Sequence, residues 1–258
     1  MPVVADPART NGRLLLDAAG DPIASFELGD RDGQPLADLL TPADGFAPAR
    51  AAAAVMAELK GWRVAAHEPF ARLLVANGAR ALRHSHVMSR DLTRNPAPSE
   101  WLVPKLPAGI RLTPVDRPPI DLVPALMAAF PPEHPDHADI RSPEHPEEEL
   151  EELMSGCLLG PLLRCSVLAV GEGGDVVGAI LVNGKPGEPP FDGPWISDVF
   201  RRPDVPGVGG SLLRRALAVA TRDRLPAVGL AVTHTNPAMS LYAALGFDEV
   251  LDVLNVEI

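Results

Sequence analysis

Apolar side chains along this chain switch repeatedly between strand spacing and helix spacing. Residues 13–17 and 23–28 alternate around the turn Ala19-Gly20-Asp21-Pro22, which predicts two short paired strands. An alanine-rich helical pattern over 48–60 follows, then a strand over 62–66, a helix over 68–77 stopped by Gly78, and a long strand over 80–92. After a Pro-, Ser- and polar-rich stretch at 95–107, the pattern resumes with a strand at 109–114 and helices at 122–130 and 147–154. The glutamates of the second helix lie at its N-terminal end, where the helix dipole favours anions. Residues 166–171 and 176–182 read as a hairpin around Glu172-Gly173-Gly174-Asp175. A strand at 195–201, a helix at 209–222, a strand at 227–233, a helix at 236–245 and a strand at 249–257 complete the series. Hairpins with helices between them predict an α+β or mixed α/β fold with a mostly antiparallel sheet.

A shift of 168 positions lays Val64-Ala65 on Val232-Thr233, Pro69 on Pro237, Leu73 on Leu241 and Gly78 on Gly246. The order helix, strand, helix, strand recurs in both halves. We therefore expect a first lobe at 1–94, a linker at 95–107 and a second domain at 108–258.

Charge and composition then narrow the function. The net charge of -11 argues against nucleic acid or an anionic membrane as the main partner. Most of the excess lies between Glu133 and Glu152, with nine acids against the single Arg141. Two cysteines, Cys157 and Cys165, make neither a disulfide framework nor a zinc-finger spacing. The first residues lack a basic segment followed by an apolar one, and no apolar run approaches about 18 residues. A cytoplasmic location is the expectation.

Two motifs carry chemistry. Gly207-Val208-Gly209-Gly210-Ser211 follows a predicted strand and opens a helix, where free N–H groups and the dipole accept a pyrophosphate. No Gly-Lys-Ser/Thr follows, so it is not a Walker loop. In the second motif Asn236 caps a helix with Pro237 at its first position, and Gly246 closes it. Tyr242, within that helix, is the only tyrosine of the chain.

Taken together, the strand, glycine loop, helix and strand, then Asn236-x-x-x-x-x-Tyr242-x-x-x-Gly246-Phe247, resemble the GNAT superfamily of acyltransferases. The resemblance covers residues 109–258 in element order and is specific over 195–247. It implies acetyl-CoA as donor, with Gly207, Val208, Gly209, Gly210 and Ser211 holding the pyrophosphate and the strand before them pairing with the pantetheine arm. A backbone N–H near Val199 or Phe200 would polarise the thioester carbonyl. Tyr242 would protonate the departing thiolate, and Asn236 would border the cofactor. Asp198, on the strand before the glycine loop, and His234, at the end of the next strand, are the candidate bases. Where the family has Arg or Gln three residues before the first glycine, this chain has Asp204, and Pro206 removes an N–H donor. We expect a shorter loop with Arg201 or Arg202 supplying the positive charge.

The resemblance further implies an acetyltransferase acting on a primary amine by direct attack. The acidic segment, with Glu133, His134, Asp136, His137, Asp139, Glu144 and His145, reads either as a solvated loop or, as the resemblance implies, as a border of the acceptor site that attracts a small cationic amine. Its Pro-rich spacing does not fix a metal site, and no metal is expected. Under the 168 shift Tyr242 falls on Leu74, Asn236 on Glu68 and the glycine loop on 39–42, so the first lobe reads as a degenerate GNAT-like unit. His84, His86 and Arg83 alternate faces on the strand over 80–92. A homodimer is compatible with all of this. The alternative is a non-catalytic module that binds acyl-CoA or an amine as a sensor, a reading favoured by Asp204 and Pro206.

Overall fold

The computed structural model describes residues 2–9, 11–31, 33–137 and 144–258. Asp139 and Arg141 of the acidic segment fall outside these. The chain forms two compact units, one of Met1–His86 with Leu251–Ile258 and one of Val87–Val250. Among the described residues no helix is long and apolar enough to cross a membrane.

The first unit runs β1 (Val3–Ala5), β2 (Gly12–Leu16), β3 (Pro22–Arg31), β4 (Gln34–Pro42), α1 (Pro48–Glu58), β5 (Arg63–His67), α2 (Glu68–Ala76) and the start of β6 (Arg80–Asp91). Its strands lie in the order β1-β2-β3-β4-β5, and next to β5 comes β12 (Asp248–Glu257), from the far end of the chain. Antiparallel pairing of Val253↔His67 through Glu257↔Arg63 fixes that register. Leu254 and Val256 thereby join Leu15, Phe26, Leu40, Val55 and Leu74 in the core. α2 and β6 recur 168 positions on: α6 (Met239–Ala244) ends at the counterpart of Ala76, and β12 begins at that of Arg80.

The second unit carries β7 (Arg111–Thr113), α3 (Val123–Ala129), α4 (Pro146–Ser155), β8 (Val167–Val170), β9 (Val176–Lys185), β10 (Gly193–Arg201), α5 (Val208–Arg222), β11 (Ala227–Thr233) and α6. Its strand order is β6-β11-β10-β9-β8-β7. β7, β8, β9 and β10 are antiparallel neighbours, while β10 and β11 run parallel across the α5 connection. The sheet is thus mixed and mostly antiparallel, as the strand–helix pattern predicts. Two cores flank it. Val208, Leu212, Ala216 and Val219 of α5 pack on Ile180, Val182 and Leu230, following the 3.6-residue period. Leu122, Leu126, Leu150 and Leu153 of the α3–α4 side pack on Leu168, Leu181 and Phe200.

The 95–107 segment differs from the expected linker. It lies inside the second unit, with a 3-10 turn at Ser99–Leu102 held to α5. Arg215 donates to the Leu102 carbonyl at 2.7 Å, and the Ala97 N–H donates to Thr221 Oγ1 at 3.0 Å. The guanidiniums of Arg90 and Arg214 both lie over the Trp101 ring, at 5.4 and 5.8 Å from its centroid. Proline and serine lower helix and strand propensity here, but one aromatic anchor is enough to dock the segment. The expected second domain also loses its last strand, since 251–258 belong to the first unit.

Candidate active site

The site begins with a mismatch between neighbouring strands. β10 and β11 share a single parallel register pair, Trp195↔Gly229, after which β10 continues to Arg201 without β11 beside it. On its other edge β10 stays paired to β9, with a bulge between Ile196 and Asp198. The Arg202 N–H donates to Val177, directly opposite in register. By alternation the Phe200 N–H also turns to β9, whereas those of Val199 and Arg201 face the wedge that β11 vacates. Of the two expected donors, Val199 is therefore the one that turns away from β9, and its N–H is engaged by the Asp198 carboxyl. Phe200 does not turn away, and its side chain is buried in the α3–α4 core.

Past the bulge, Asp198 shares the face of β10 with Phe200, on the α3–α4 side. Its carboxyl is pushed up to about 7, first by burial and then by Glu149 of α4 and Asp136, with the Val199 N–H pulling the other way. The residue keeps some solvent access even so. Tyr242 is buried, its ring edge-on to Phe247 at 5.9 Å. Burial holds its phenol well above the ordinary value, and Asp136 and Asp198 push the same way. Asp198 and Tyr242 thus share one electrostatic environment. His234 does not figure among the groups that shift either residue; it is exposed in the turn after β11.

Asn236 caps differently from the expected helix start. α6 begins only at Met239, but Asn236 Oδ1 still accepts the Ala238 N–H at 2.7 Å, while its amide donates to Asp136. This contact ties the segment after α3 to the turn ahead of α6, the helix that carries Tyr242. Asp136 and Glu149 escaped sequence reasoning as neighbours of Asp198, because their approach is long-range and no spacing encodes it.

At the other end of the wedge, Gly207 enters α5 with φ 86°, a left-handed conformation suited to glycine. The N–H groups of Val208, Gly209 and Gly210 precede the first helical bond, from Ser211 N–H to Gly207 C=O. Arg201 folds over the loop and donates to the Arg202 and Pro203 carbonyls at 2.9 and 3.1 Å; its aliphatic stem lies beside Gly209. The guanidinium of Arg214 borders Gly210. Arg202 is engaged elsewhere: it donates to both carboxylate oxygens of Asp204, at 3.0 and 2.6 Å, and to Asp175 at 3.1 Å. That pairing holds the Asp204 carboxyl below the usual range and neutralises the anion in the loop. Ser211 and Val208 face inward. The Ser211 hydroxyl donates to the Lys105 carbonyl at 2.7 Å, and the Val208 side chain is wholly buried.

A helix N-terminus with two small glycines, an adjacent Arg201 and an unpartnered strand edge fits a phosphate-bearing thioester such as acetyl-CoA. No family model matches the chain, and no curated protein matches it in sequence. Solved structures do. A GCN5-related N-acetyltransferase from Sphaerobacter thermophilus superposes with a TM-score of 0.59 at 20% identity, over 95% of this chain and 79% of that one. A tandem GNAT protein from the clavulanic acid biosynthesis pathway gives 0.54 at 18% identity, over 95% and 81%. The fold is the GNAT fold. The bulged β10, its parting from β11 and the glycine turn into α5 are the parts of that GNAT fold which carry the candidate site here.

Proposed function

We propose that the second unit moves an acetyl group from acetyl-CoA to the primary amine of a small cationic acceptor, by direct attack in a ternary complex. The observation that carries this reading is the shared environment of Asp198 and Tyr242 beside the wedge between β10 and β11. Acetyl-CoA, as substrate, brings the activated acyl group. The N–H groups of Val208, Gly209 and Gly210, with Arg201, would bind its pyrophosphate. The Val199 N–H would polarise the carbonyl, a donor it now directs at the Asp198 carboxylate.

An amine arrives as an ammonium ion and must lose a proton before it can attack. A carboxylate poised at about 7 is matched to that task near neutral pH. The acids Asp136 and Glu149 favour a cationic acceptor through their field. Tyr242, kept protonated across the physiological range, would give its proton to a leaving thiolate. The sensor alternative drew on Asp204 and Pro206; Arg202 offsets the Asp204 charge, which supports cofactor binding under either reading.

The test is product detection across a panel of amines with acetyl-CoA, run on the wild type and Tyr242→Phe. We expect acetylated product, and kcat lowered by about 10²–10⁴ in the variant, with acetyl-CoA affinity unchanged by calorimetry. Full activity in the variant would remove the acid role. Failure to bind micromolar acetyl-CoA would remove the donor reading.

A further inference from the structure

Asn183 lies at the C-terminal part of β9 with none of its surface exposed, and its amide group is fully engaged. Nδ2 donates to the Leu153 carbonyl near the end of α4 and to the Gly160 carbonyl, both at 2.8 Å. Oδ1 accepts the hydroxyl of Ser197 at 2.7 Å. Ser197 is the extra residue of the β10 bulge, sitting between Ile196↔Val182 and Asp198↔Leu181. The backbone of Asn183 also bridges to Leu162, so the segment from Gly160 to Leu163 lies against β9. Gly160 has φ 80°, and a Cβ there would stand 2.3 Å from the Gly184 carbonyl. That close approach brings its carbonyl within reach of the amide.

One buried amide therefore joins the residue immediately before Asp198 to the helix that carries Glu149. Burying an amide is costly unless all its hydrogen bonds are made, and here two donors and one acceptor are used. An apolar residue would fill the space without holding the bulge. We propose that Asn183 and Ser197 are positioning residues for the transfer reaction, clamping the bulge so that Asp198 and the Val199 N–H keep their places on β10 and Asp198 its separation from Glu149. This rests on the reading of Asp198 as the base.

The groups that face Asp198 are Glu149 from α4, Asp136 from the segment after α3, and Tyr242 from α6. Loosening the clamp admits water and lets Glu149 move away, and both changes return Asp198 towards an ordinary carboxylate. The experiment is the pH dependence of kcat and kcat/KM for wild type, Ser197→Ala, Ser197→Thr, Asn183→Ala and Asp198→Asn. In Ser197→Ala, where one hydroxyl is lost and the α4 contacts remain, we expect kcat to fall about 10- to 100-fold. Its acid limb should move to lower pH, with KM for acetyl-CoA little changed. Ser197→Thr should restore both. Asn183→Ala should show the larger shift if it folds, and Ser197→Ala keeps the test open if it does not. An acid limb unmoved in a folded, less active Ser197→Ala would overturn the clamp while leaving the base intact. Full activity in Asp198→Asn would instead overturn the base assignment itself.

Discussion

Asp198 is under opposing demands. Its carboxyl sits at about 7 in the folded chain against 3.8 for an unperturbed group, so the native state holds a proton that the unfolded state has already released between those values. The proton-linked stability is complete below about pH 4 and is lost as pH rises through 7. Asp198→Asn should therefore raise Tm, more at pH 8 than at pH 5, while abolishing the acid limb of activity; thermal melts at both pH values would check it. An unchanged or lowered Tm at pH 8 would show that burial does not penalise this carboxylate. Activity follows the opposite sign, because only the ionised base accepts the ammonium proton, so kcat/KM should rise with pH to a plateau above about 7. At this scale Tyr242, Asn236 and Gly246 were legible, because capping residues and a unique tyrosine stand out locally. Asn183 was not. An asparagine closing the apolar run from Val176 to Val182 looks like a strand terminus until its partners at Leu153, Gly160 and Ser197 are seen.

Between elements, the wedge depends on how closely β10 and β11 approach before they part. Gly229 lies under the Trp195 ring, and a Cβ there would stand 2.7 Å from two ring carbons. Gly229→Ala should push that ring away at the one paired register, costing about 1–3 kcal/mol by overpacking and weakening acetyl-CoA binding. Denaturant unfolding and calorimetry would read the two effects, and a variant neutral in both would sever the link between this contact and the wedge. Leu212 of α5 is wholly buried against the sheet, so Leu212→Ala should cost about 2–5 kcal/mol. Most elements were readable from periodicity, including α1, α2, β6, α5 and β11. β4 was not, because Leu36, Leu39 and Leu40 break the alternation, and Leu39 adopts φ 49° where the register with β5 shifts. The predicted helix from 236 shortened to Met239–Ala244, since the Asn236 side chain closes a turn ahead of it.

At the scale of the whole molecule, the first unit is not one uninterrupted stretch, because residues 251–258 belong to it. β5 is paired with β12, and β6 passes from the first unit into the second, where it neighbours β11. Pairing partners of this kind cannot be read from a local pattern, because β12 shows the same alternation whichever sheet receives it. Deleting residues 251–258 should remove Leu254 and Val256 from the first core and leave β5 with a bare edge. Limited proteolysis of the shortened chain should then cut within 1–86 first, and equal resistance across both units would contradict it. The same arrangement bears on how the protein comes into being. A growing chain generally folds from its N-terminal end as it leaves the ribosome. Here β5 must wait for residues 253–257, made only after the whole of the second unit, before that edge is covered.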